Sequence, residues 1–114
     1  MDESLKNKVA FITGAATGIG KETALLLAKN GVKTMIADIN EVEGRVTTKT
    51  ITDSGGVACF YKLDTSIKKD VANVLDSIFK EYGSIDLAVN NAGIGGLVGS
   101  CLLYTSDAAD DLLC

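Results

Sequence analysis

The sequence predicts an α/β protein built on a doubly wound parallel sheet, and three observations carry that expectation. Four short runs rich in apolar and β-branched residues alternate with three longer segments of helical spacing, in β-α-β-α-β-α-β order. That alternation calls for right-handed crossovers with helices on both faces of the sheet. Glycine follows each helical segment, at Gly31, Gly55 and Gly83, where a left-handed residue ends a helix. A glycine-rich turn, finally, joins the first strand to the first helix.

Val9, Ala10, Phe11 and Ile12 form an apolar run ending in Thr13-Gly14, the pattern of a strand buried on both faces before a tight turn. Residues 19–29 are good helix formers, with Ile19, Thr23, Leu26 and Leu27 on one stripe and Asn30-Gly31 as the stop. Residues 32–37 read as a second buried strand closed by Asp38. Asn40 caps a second helix to about residue 53, although Thr47, Thr48 and Thr50 are β-branched and favour helix weakly. Residues 57–63 form a third strand, and Asp64-Thr65-Ser66 offers a cap for a helix over about 67–82. Its apolar face is Val71, Val74, Leu75, Ile78 and Phe79. Gly83 stops it, and residues 85–90 are the fourth strand. With no solenoid repeat and no proline, nothing divides residues 1–100.

Composition narrows the function classes. A chain of 114 residues holds one domain at most, and 46% hydrophobic with 23% charged residues is an ordinary globular balance. No run approaches the roughly 18 apolar residues of a membrane span, and residues 1–6 begin with acids instead of an apolar signal core. The expectation is a cytoplasmic protein without a membrane partner. A net charge of −4 with no basic cluster is the reverse of a nucleic-acid footprint. Cys59, Cys101 and Cys114 lack metal-ligand spacing and there is no histidine, so no metal site is expected. Cys59, in an alternating apolar run, reads as a buried thiol packing as a small hydrophobe.

Thr13-Gly14-Ala15-Ala16-Thr17-Gly18-Ile19-Gly20 sits where a nucleotide-binding fold brings its backbone up to a pyrophosphate. Glycine removes the obstructing side chains, and the free N–H groups of the helix start point at the anion. A P-loop fails on two counts, since its first glycine would be Ala15 and its magnesium-binding hydroxyl would be Glu22. The G-x-G-x-x-G pattern fits in part: Gly18 and Gly20 are present, but Thr23 replaces the third small residue.

The spacing that does fit, T-G-x-x-x-G-x-G, resembles the short-chain dehydrogenase/reductase family, and Asn90-Asn91-Ala92-Gly93 after the fourth strand resembles a second motif of that family. The resemblance covers nearly all of residues 5–96 and implies a Rossmann-like sheet with a nicotinamide cofactor. On this reading Gly14, Thr17, Gly18, Ile19 and Gly20 hold the pyrophosphate, and Asp38 and Ile39 the adenosine ribose. Asp64 and Thr65 lie at the adenine, with Leu63 on its other side, and Asn91 contacts the cofactor ribose on the nicotinamide side. Asn90 braces the sheet and Gly93 permits close approach. Asp38 follows Gly20 by eighteen residues, the place of an acid that binds the ribose 2′-hydroxyl. Its charge would repel the extra phosphate of NADP, and no Arg or Lys stands at Ala15, Ala16, Thr17, Ile39 or Asn40. NAD is therefore the expected cofactor. Helix capping is the plain alternative for both Asp38 and Asp64.

The resemblance also implies hydride transfer between the nicotinamide and a secondary alcohol or ketone, by a Tyr with a Lys four residues later and a nearby Ser. No catalytic residue is assigned here, because Tyr61, Tyr82 and Tyr104 are followed at that distance by Thr65, Asp86 and Ala108. The chain reads as a half-domain truncated after the fourth strand, from a parent that acts on a small molecule and forms a homo-oligomer. The alternative is a non-catalytic NAD-binding module. Residues 101–114 share none of the family's patterns. Cys101-Leu102-Leu103-Tyr104-Thr105-Ser106-Asp107-Ala108-Ala109-Asp110 resembles a translated sequencing-library adapter, so 101–114 are read as a non-native tail. Three of the 15 acidic residues lie in it, and without it the net charge would be −1.

Overall fold

The computed structural model describes residues 3–91; Gly93 and the expected tail over 101–114 lie outside them. After a 3₁₀ turn at Glu3–Leu5 the order is β1 (Val9–Thr13), α1 (Gly18–Lys29), β2 (Lys33–Asp38), α2 (Glu41–Asp53), β3 (Ala58–Lys62), α3 (Lys68–Tyr82) and β4 (Leu87–Asn90). The strands form one parallel sheet in the order β3-β2-β1-β4. The expected α/β architecture is thus present.

Alternation along each strand splits the core in two. Val9, Phe11, Met35 and Ala37 meet Leu75 and Ile78 of α3 on one face. Ala10, Ile12 and Ile36 meet Ala24 of α1 and Ile51 of α2 on the other. Burying each of the large side chains contributes about 1.5–3 kcal/mol. The chain therefore crosses from the α1/α2 face to the α3 face between β3 and β4, and it is β1 that ends up between β2 and β4.

Three local expectations are corrected. The stripe of Ile19, Thr23, Leu26 and Leu27 is only in part the inward face of α1: Leu27 packs against the core, but two of the others point outward. Ile19 is 79% and Leu26 61% exposed, whereas Gly20 and Ala24 are buried. Small residues face inward because α1 packs hard against the turn that precedes it. The Asp64-Thr65-Ser66 segment does not cap α3, whose N-cap position is Ile67 with no side-chain hydrogen bond. Asp64 Oδ1 instead accepts from the Ser66 amide at 2.9 Å and the Ser66 hydroxyl at 2.6 Å, closing its own turn. β4 begins at Leu87 rather than Ile85. Just before it, Asp86 fastens the start of β1, its Oδ2 accepting the Val9 N–H at 2.8 Å.

The second helix forms despite its threonines. Asn40 caps it, accepting from the Glu43 N–H at 3.1 Å, with Glu41 and Glu43 in the first turn where the dipole favours acids. Thr48 and Thr50 return their hydroxyls to the Gly44 and Val46 carbonyls. Cys59 is only half-buried, and its Sγ lies 3.2 Å from the Tyr82 hydroxyl. Among the described residues no helix is long and apolar enough to cross a membrane.

Candidate functional site

A cleft of about 610 Å³ opens at the carboxyl end of the sheet, lined by Gly14, Thr17, Ile19, Gly20, Asp38, Ile39, Leu63, Asp64, Thr65 and Asn91. Nine of the ten residues assigned to cofactor binding are among them. Gly18, the tenth, lies within the same turn at φ +61. Segments following β1, β2, β3 and β4 all contribute, as expected at a switch point of a doubly wound sheet.

The glycine turn owes its shape to two positions. Gly18 adopts a left-handed backbone that L-residues avoid. Gly20 allows α1 to press against the Gly14 carbonyl, where a Cβ would overlap it. Thr17, the N-cap residue of α1, makes no side-chain capping bond, and no acid lies in the first turn. The first amide to bond back along the helix is that of Lys21, to the Thr17 carbonyl at 3.3 Å. The amides before it are the free donors of a helix start, suited to an anion.

Asp38 is not a helix cap, since Asn40 fills that role. Its Oδ2 accepts the Ala16 N–H at 3.0 Å and its Oδ1 the Asn40 N–H at 2.9 Å. The carboxylate is thereby tied to the glycine turn. Asp64, half-exposed, is held below the ordinary carboxylate range by the Ser66 hydroxyl and then by the Ser66 amide. Among the described residues no Lys or Arg lines the cleft, so the donors it offers an anion are neutral ones, backbone amides above all. Asn91 donates its backbone N–H to the Thr13 carbonyl at 3.1 Å, and its Nδ2 is buried with no partner among the described residues. A buried donor left in that state costs about 1–3 kcal/mol until an acceptor arrives. Asn90 Oδ1 accepts from the Thr13 hydroxyl at 2.8 Å, linking β4 to β1.

The cleft suits a ligand with an anionic middle and polar ends, which is the outline of a dinucleotide. Neither Tyr61 nor Tyr82 is among the residues lining it. Burial pushes the Tyr61 phenol up to about 12, and the bond to Cys59 pushes Tyr82 higher still. Both shifts run opposite to what proton transfer near neutral pH requires. Sequence reasoning missed Thr47 and Ala16. Thr47 is fully buried, and its hydroxyl donates to the Ala16 carbonyl at 3.2 Å. The available signal was a threonine on the face of α2 that also carries Gly44 and Ile51.

A family model described as short chain dehydrogenase matches residues 8–112. The chain belongs to this family. It is similar to the cyclohexanol dehydrogenase of Acinetobacter sp. (strain SE19), with 42% identity over 100 residues, 88% of this chain and 40% of that one. It therefore spans about two fifths of the length of that relative. The fold is similar to a short chain dehydrogenase/reductase from Burkholderia phymatum solved in complex with NAD (TM-score 0.72, 31% identity, covering 77% of this chain and 31% of that one). It is also similar to a metagenomic short-chain oxidoreductase in complex with NADP (TM-score 0.77, 31% identity, 82% and 42% covered). Both nicotinamide coenzymes thus occur among solved proteins of this fold.

Proposed function

We propose that this chain is the coenzyme-binding part of an oxidoreductase that uses NAD(H) to interconvert a secondary alcohol and a ketone. The observation that carries the coenzyme choice is the Asp38 carboxylate in a cleft lined, among the described residues, by no Lys or Arg. A ribose 2′-hydroxyl can donate to Asp38, whereas a 2′-phosphate would meet like charge at a cost of several kcal/mol. The amides of the α1 start would face the diphosphate, Asp64 and Thr65 the adenine, and Asn91 Nδ2 a ribose oxygen.

When bound, the nicotinamide supplies or takes up the hydride. Oxidation of the alcohol then releases one proton from its hydroxyl. On this reading the groups that handle that proton belong to a part of the enzyme outside these 114 residues. A secondary alcohol fits the similarity to a cyclohexanol dehydrogenase. A cytoplasmic setting is part of the same proposal.

The test uses the complete enzyme carrying this chain. Titration should show NAD binding more tightly than NADP, and D38N should narrow the difference roughly tenfold or more. Unchanged discrimination in D38N overturns the assignment of Asp38. A complete coding sequence with no Tyr-x-x-x-Lys beyond Asn91 would overturn the enzymatic reading and leave a coenzyme-binding module.

A further inference from the structure

We propose that Thr47, in the middle of α2 and outside the cleft lining, is a positioning residue that orients the turn holding the coenzyme diphosphate. The proposal rests on the nicotinamide-coenzyme reading above. Four threonines on α2 make hydrogen bonds of different kinds, Thr52 to the Lys49 carbonyl three residues back. Thr48 and Thr50 bond carbonyls four residues back on their own helix. Thr47 instead reaches across thirty-one residues to the Ala16 carbonyl, at 3.2 Å.

Burial makes the hydroxyl costly unless it is hydrogen-bonded, so the bond to Ala16 is what keeps it there. Thr47 is 0% exposed and shares its helix face with Gly44 and Ile51. Valine would fill that space without a polar group to satisfy. Ala16 is 2% exposed and is gripped on both sides: Asp38 Oδ2 takes its N–H at 3.0 Å and Thr47 binds its carbonyl. In a planar trans peptide the carbonyl and the next N–H point in opposite directions. Anchoring the Ala16 carbonyl toward α2 therefore turns the Thr17 N–H away from α2, and Thr17 lines the cleft. Thr47 in this way aims a donor it never touches, and Asp38 holds the other flank of the same residue.

The experiment compares T47V, T47S and T47A in the complete enzyme, measuring dissociation constants for NAD and for ADP-ribose, which has the diphosphate but no nicotinamide. T47V should weaken both ligands by a similar factor, roughly three- to tenfold, the scale of one buried neutral hydrogen bond. KM for NAD should rise with kcat unchanged, and T47S should restore wild-type binding. If T47V does not fold, T47A is read in its place against the same expectations. Wild-type affinity in folded T47V overturns the proposal. So does loss of fold in both T47V and T47A with T47S intact, which would make the hydroxyl a requirement of the fold. A wild-type protein that binds neither NAD nor NADP overturns the coenzyme reading and this proposal together, whereas a protein that binds NAD but ignores T47V overturns this proposal alone.

Discussion

Gly20 on α1 lies against the carbonyl oxygen of Gly14, with no room for a Cβ between them. Because the obstacle is backbone, it cannot swing aside as a side chain would. G20A should push α1 off the turn, destabilise the protein by about 1–3 kcal/mol and abolish measurable coenzyme binding. G18A is the control. A Cβ there meets no described protein atom within 4 Å, so in the ligand-free protein only its left-handed backbone is penalised, at about 1–2 kcal/mol. Chemical denaturation of both variants beside a coenzyme titration checks the contrast.

Gly44 reverses the usual rule for mid-helix glycine. Replacing such a glycine by alanine ordinarily stabilises by about 1 kcal/mol. Here a Cβ would overlap the Phe60 ring, which also stacks under the Arg45 guanidinium at 5.3 Å. G44A should therefore lower the midpoint of thermal unfolding, and trimming the ring in G44A/F60L should recover most of the loss.

Alkali should weaken the fold in a defined window. Tyr61 has its phenol raised from 10.0 to about 12, chiefly by burial. Its contribution is complete below the unfolded value and is lost as pH rises through the folded one, because the unfolded chain ionises first. Stability should fall between about pH 10 and 12, and Y61F should flatten that decline. Denaturation midpoints across the window, with tyrosinate absorbance alongside, provide the check.

The Asp64 carboxyl should titrate below the ordinary range because of Ser66. S66A removes the hydroxyl, the larger of the two causes, and should bring the carboxyl back toward its usual value in an NMR titration. Its stabilising influence is present above the ordinary carboxylate value and is lost as pH falls through the depressed one. If Asp64 receives the adenine amine, D64N should weaken NAD binding by more than S66A does, while both variants lower the unfolding midpoint at neutral pH modestly through the lost turn bonds.

Much of the architecture is legible in the sequence because strand and helix periods differ so plainly. Val9 to Ile12 is an uninterrupted apolar run, and the strand it opens, Val9–Thr13, is buried throughout. The glycine turn, Asp38, Asp64 and Asn91 could be placed because each follows a strand, and strand ends converge in a parallel sheet. What failed was the inward face of α1. Hydrophobicity pointed to Ile19 and Leu26, which are exposed, whereas the fully buried positions of the helix are Gly20 and Ala24. Close approach favours small residues, and a scale of apolarity does not register that preference. Thr47 escaped notice for a related reason, since its partner is a main-chain carbonyl that no sequence pattern marks.

Ile19 and Ile39, at 79% and 61% exposed, both line the cleft. Each keeps branched hydrocarbon wetted at the mouth of a site otherwise rich in polar groups. A ligand that shelters them should register calorimetrically as a negative change in heat capacity on association. Trimming both to alanine should shrink that signal even where the hydrogen-bonding groups are untouched.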